Sequence, residues 1–155
     1  MVSHKSKQQA KGKTTGMEEW SEETRAKAVT TLKDAIHVQE VKRDEMIGHI
    51  DHTSEFVAAR LEAENTIGAV LSMKQVLKYE ALRDHAVRTM NSLEIVLQHV
   101  YTADHFIDYV AEIQTILSVP VPACVLTDKN DVLDEARNRL QVQGLSLHQA
   151  GARTA

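Results

Sequence analysis

Proline occurs in this chain only at positions 120 and 122, so residues 1–119 contain none of the one residue type that costs a helix interior about 3 kcal/mol. That absence permits very long helices and works against a turn-rich all-β fold. The apolar pattern uses the permission. Ser21 is fitted to cap a helix, and Glu22 and Glu23 follow on the first turn, where the helix dipole favours acids. From there to about Glu64, the residues Val29, Leu32, Ile36, Met46, Ile47, Ile50, Val57 and Leu61 recur at steps of three and four. A helix of that length runs roughly 60 Å and needs a partner helix along its side. Gly48 inside it costs about 1 kcal/mol relative to Ala and marks either a weak point or a close contact.

Asn65, Thr66 and Gly68 are the turn signal, and a second periodic stretch follows at once through Ile67, Val70, Met73, Leu77, Val87, Met90, Leu93 and Leu97 to about Tyr101. Two long helices with so short a link fold back antiparallel, which places residues 33 and 98 close together. Glu80, Arg83 and Asp84 break the second stripe, so the shared core is narrow. A third helix is expected over 103–118, the most apolar part of the chain, with Phe106, Ile107, Tyr109, Val110, Ile113, Ile116 and Leu117. Ser118-Val-Pro-Val-Pro-Ala-Cys124 ends it, because residues before proline avoid helical angles. A short last helix is expected over about 131–143, stopped by Gly144. The expected fold is therefore all-α: a long antiparallel helical hairpin, a shorter packed helix and a short C-terminal helix. The expected organisation is a disordered basic tail at 1–20, a hairpin core at 21–118, a Pro-containing linker at 119–130, and a C-terminal helix with a disordered tail at 131–155.

A chain of 155 residues is one ordinary domain, and its aromatic content of 4% argues against a thick aromatic core. The net charge of −4 excludes nucleic-acid binding through a generally basic surface. The charge is unevenly placed, since Lys5, Lys7, Lys11 and Lys13 stand in a tail without acids. Near an anionic leaflet each such lysine contributes about 1 kcal/mol at most, enough for transient association. No apolar run approaches the roughly 20 residues of a membrane span, and the first residues lack a signal-peptide pattern, so a soluble intracellular chain is expected. Its single Cys124 has no internal partner for a disulfide.

Eight histidines raise the question of a metal. His49 and His52 share a face of the first helix beside Asp51, and His99 and His105 flank Asp104, but no set of three or four convergent ligands is legible and no paired Glu-x-x-His motif exists. They read as solvated helix-surface histidines. Asp128-Lys-Asn-Asp131 begins like a calcium loop but has Leu133 where the glycine belongs and Arg139 where the bidentate Glu belongs, so it reads as a turn and N-cap. Phosphate-binding glycine loops and nucleophile elbows are missing, and Cys124 has no histidine at a recognisable spacing. No catalytic, cofactor-binding or metal residues are expected, and no enzymatic activity.

One segment is more specific than its composition. Ala69-Val-Leu-Ser-Met-Lys74-Gln-Val-Leu-Lys78-Tyr79-Glu80 resembles a motif of the charged multivesicular body proteins, the ESCRT-III subunits, and the similarity continues through Thr89 and Leu93-Glu94. Upstream, Leu32, Gln39-Glu40, Lys42 and Ile50 resemble the family's first helix; downstream, Ser118-Val-Pro120-Val before an acidic helix resembles its C-terminal element. The resemblance covers roughly residues 25–143 and is nearest to the core polymer-forming subunits. It departs from the family in a diluted basic run, in a first helix with six Lys or Arg against eight Asp or Glu over 25–65, and in a shortened region after the hairpin.

The resemblance implies a non-enzymatic subunit that polymerises on endosomal membranes in membrane remodelling, multivesicular body sorting and vacuolar transport. Its implied partners are itself, other ESCRT-III subunits and an anionic membrane surface, met by Lys5, Lys7, Lys11, Lys13, Lys74 and Lys78. Asp134, Glu135, Arg139 and Leu140 resemble the residues by which such subunits bind the helical domain of a disassembling AAA ATPase; Ala136 and Gln143 stand where the motif has leucine, so that contact is expected to be weak. The other reading open to this sequence is a cytosolic coiled-coil adaptor or scaffold that remodels no membrane.

Overall fold

The computed structural model describes residues 19–154, with side chains through residue 143. Its described residues form four helices, α1 (Glu22–Glu62), α2 (Thr66–Thr102), α3 (Tyr109–Leu117) and α4 (Lys129–Thr154). The one β-type pairing among them is an isolated bridge between Glu19 and His105. The fold is all-α, as the periodicity requires, and the 41 and 37 residues of α1 and α2 make the two arms of a hairpin.

The start of α1 is closed by Ser21, whose hydroxyl oxygen accepts from the Thr24 amide at 3.1 Å. Its end is a Schellman turn: the Asn65 amide donates to the Arg60 carbonyl at 2.8 Å and the Glu64 amide to the Leu61 carbonyl at 3.1 Å. The left-handed position of that turn is held by Glu64, with φ of 59°, rather than by a glycine. Asn65 then caps α2, its Oδ1 accepting from the Gly68 amide at 3.0 Å. Gly68 serves close approach instead: a Cβ there would lie 2.5 Å from Asn65 Nδ2 and 2.9 Å from Arg60 Cδ.

Contacts divide the chain into two compact units, one formed by Met1–Glu40 with Arg88–Pro120 and the other by Val41–Val87 with Val121–Ala155. In the first, Ala28, Leu32 and Ile36 of α1 pack on Met90, Leu93, Val96, Leu97 and Val100 of α2, with Tyr109 of α3 completing the cluster. Lys33 and Gln98 line one groove, the neighbourhood that antiparallel pairing requires. The Arg25 guanidinium donates to the carbonyls of Val100 and Ala103, the latter at 2.8 Å, and so satisfies the open C-terminal end of α2. Trp20 lies 4.9 Å from Phe106 and 6.3 Å from Tyr109 between ring centroids. Its buried Nε1 has no hydrogen-bond partner among the described residues; the ring is held by these aromatic contacts and by the Arg25 guanidinium, 5.5 Å from its centroid.

In the second unit, Val57 of α1 meets Val70, Met73, Val76 and Leu77 of α2, and Val132 and Ala136 of α4 close the cluster. Arg60 reaches across from α1 to donate to the Ser72 hydroxyl of α2. Ser72 in this unit, and Gln39 and Thr89 in the first, are buried polar residues, in keeping with cores too narrow to exclude polar groups.

Two expectations are corrected, and one of the two readings left open for Gly48 is removed. The stretch 103–118 is helical only from Tyr109, because Arg25 seals the end of α2 at Ala103 and Asp108 opens a new helix by accepting from the Ala111 amide at 3.1 Å. The last helix neither starts at Asp131 nor stops at Gly144. It begins at Lys129, and its backbone continues through Gly144 to Thr154, with no glycine among the described residues at positive φ to form a C-terminal cap. Gly48 makes no close contact, since nothing lies within 4 Å of a Cβ built on it.

Candidate functional site

The best-built polar site lies where α4 meets the hairpin. Asp128 starts the helix: its Oδ1 accepts from the Asn130 amide at 2.8 Å, the turn and cap expected in place of a calcium loop. One turn on, Val132 and Ala136 enter the core and are fully buried, with Leu133 and Leu126 partly buried against them. Their spacing of four keeps them on one face. The next position but two on that side, Arg139, cannot be apolar core; it bridges instead.

Arg139 Nη1 and Nη2 donate to the two carboxylate oxygens of Glu80 on α2, at 2.5 and 2.9 Å, and its Nε donates to Glu135 Oε1 at 2.8 Å. A two-pronged bond between guanidinium and carboxylate combines charge with fixed geometry. The hydrogen bond to Glu80 is the largest cause holding the Arg139 guanidinium above its ordinary value, with Glu135 adding to it and burial opposing. The group is therefore a permanent cation in the folded protein. Leu140, half-buried, lines with Ile50, Ser54, Ala58 and Met73 a groove of about 360 Å³.

Of the residues singled out from the sequence, Glu135, Arg139 and Leu140 are thus brought to one place, and Asp134 is on the exposed side of α4. Lys74 and Lys78 are exposed on α2, on the side turned away from this core. Lys5, Lys7, Lys11 and Lys13 lie outside the described residues. The residue that sequence reasoning missed is Glu80 as the partner of Arg139. Its signal was present, a carboxylate interrupting the apolar stripe of the second helix, but a stripe does not name which distant cation completes it.

His49 and His52 are exposed on α1, as expected of surface histidines, and each also makes a ring contact. His49 stacks on Tyr79 with centroids 4.9 Å apart, and His52 meets Phe56 edge-on at 5.0 Å. No group of three or more metal-ligating side chains converges among the described residues. No helix among them is long and apolar enough to cross a membrane. Cys124 is free and exposed.

Comparison with family models, with curated proteins and with solved structures finds no match for this chain.

Proposed function

We propose that this chain is a non-enzymatic ESCRT-III-like subunit that polymerises on endosomal membranes and takes part in membrane remodelling for multivesicular body sorting and vacuolar transport. The observation that carries the reading is the seat of α4. The helix whose residues resemble an ATPase-binding motif lies folded on the hairpin, and its Arg139 is held by Glu80, the acid of the Tyr-Glu pair on which the resemblance rests. An exposed linker with Val119, Val121 and Val125 at its surface leads into that helix. A helix docked through two fully buried small side chains and one charged clamp is held modestly, which suits a partner that binds only the released form.

In this reading the membrane contact is electrostatic and falls first to Lys5, Lys7, Lys11 and Lys13, with Lys74 and Lys78 next in line. The partners are further copies, sister subunits and, weakly, the helical domain of an AAA ATPase. One observation favours the adaptor instead: Ala136 is fully buried and Arg139 is engaged, so the motif is closed to a partner while α4 stays docked. Sedimentation and electron microscopy with anionic liposomes separate the two. Concentration-dependent filaments on the vesicles support the subunit; a protein that leaves anionic vesicles bare at low salt is the adaptor.

A further inference from the structure

The second unit, taken alone, carries two helix faces of opposite character that none of the described residues covers. On α2, Ile67, Leu71, Lys74 and Lys78 follow one another at steps of four, three and four and so form a single stripe. All four are exposed, Ile67 at 66% and Leu71 at 63%, values that leave two large aliphatic side chains uncovered by the described residues. No acid occurs on α2 before Glu80, which points to α4. On α1, the steps Val41, Glu45, Gly48, His52, Glu55, Ala59 and Glu62 mark the corresponding outer face, again all exposed. That face has Glu45, Glu55 and Glu62; Glu55 also lines the groove beneath α4, and at the edge the exposed Phe56 carries the Arg60 guanidinium 5.4 Å from its ring centroid.

None of Glu45, Glu55, Glu62, Lys74 or Lys78 is in an ion pair among the described residues, in a unit that pairs Arg43 with Asp44, Arg83 with Asp84 and Arg139 with Glu80. Gly48 adds a separate observation. It sits in the middle of the acidic face, weakens the helix by about 1 kcal/mol relative to Ala, and has nothing among the described residues within 4 Å of a Cβ built on it. A bare position there leaves room for another backbone to approach.

We infer that these faces are made for each other in different copies: the basic, aliphatic stripe of α2 in one molecule seats on the acidic outer face of α1 in the next. The inner sides of α1 and α2 share the Val57, Val70 and Met73 core, so the two outer faces point away from each other. Complementary patches on opposite sides of one body cannot close into a two-fold dimer, and each added copy presents a fresh face, which makes an open filament. This inference rests on the proposed polymerisation but names its contact, and it concerns protein alone, without a membrane.

The test is sedimentation velocity of the full chain at low and at high salt, without lipid. The wild type is expected to associate with rising concentration and to dissociate with salt. Lys74→Glu with Lys78→Glu, and separately Glu45→Lys with Glu62→Lys, which leaves the groove beneath α4 untouched, are each expected to weaken association roughly tenfold or more, because exposed charge pairs are lost and like charges face each other. Mixing the two variants restores both contacts and is expected to recover assembly. Gly48→Gln, which fills the bare position and leaves charge unchanged, is expected to weaken association while the helix signal in circular dichroism is kept. A wild type that stays monomeric, charge variants that associate like the parent, or a mixture that fails to recover would overturn the inference. If the Lys74 and Lys78 variant loses only liposome binding, the stripe belongs to the membrane and the inference falls. If the mixture recovers assembly but no form binds anionic vesicles, the contact stands and the membrane function proposed above falls.

Discussion

Replacing Arg139 by Ala isolates what holds α4. The side chain is about a third exposed and its partner Glu80 a fifth exposed, so the pair stands between an open surface bridge, worth roughly 0 to 1 kcal/mol, and a buried one, whose breaking costs roughly 3 to 5 kcal/mol. Discounting for solvent, the loss is about 1 to 2 kcal/mol. Burial of Val132 supplies a further ~1.5 to 3 kcal/mol, and Ala136 adds less. The clamp is thus a large share of the docking energy, and its removal raises the undocked population about 5- to 30-fold. Hydrogen exchange of amides 131–143 reads this directly, with amides 93–100 of the other unit as the control. A cycle of Glu80→Ala, Arg139→Ala and the double variant is expected to be non-additive by about 1 kcal/mol. Unchanged exchange in α4, additive variants, or equal loosening of the control amides would refute the reasoning. The pH dependence has a definite sign. The folded-state pKa of Arg139 is raised, so its contribution is fully present below the unfolded value and is lost only as pH rises through the folded one. Protection of α4 is therefore expected not to fall through deprotonation of Arg139 between about pH 7 and pH 10, below the usual arginine range.

Removal of residues 119–155 is expected to increase self-assembly, checked by sedimentation, and Leu140→Asp to weaken binding of an AAA ATPase helical domain, checked by titration. Replacing Lys5, Lys7, Lys11 and Lys13 by Gln is expected to abolish most binding to anionic liposomes in a flotation assay, and unchanged binding would move the contact to Lys74 and Lys78. Leu32→Ala, at a fully buried position of the first unit, is expected to cost about 2 to 5 kcal/mol in denaturant unfolding. The single Trp20, packed on Phe106 and Tyr109, reports that transition by fluorescence. Gly68→Ala is expected to destabilise the turn, because the added Cβ would stand 2.5 Å from Asn65 Nδ2.

The hairpin was legible in the chain because its causes are local and repetitive. Apolar residues at helical spacing, a proline-free stretch and a cap at Ser21 each act within a turn or two, and they place α1 and α2 to within two residues of their ends. Asn65 as a cap and Asp128 as a helix start were legible for the same reason, since a side chain two or three residues from its acceptor amide is decided by the sequence around it. Other features belong to the tertiary structure. The apolar run at 103–118 has the composition of a helix throughout, yet Arg25, 78 positions earlier, takes the carbonyl of Ala103 and ends α2 there. Gly144 looks like a stop, but a glycine stops a helix only when it turns left-handed, and no glycine among the described residues has a positive φ. Glu80 looked like a flaw in an apolar stripe until α4 folded back and put Arg139 opposite it. Two residues 59 positions apart meet only when the linker and both arms are in place, so periodicity determines which residues face inward, while the folded chain alone determines which of them meet.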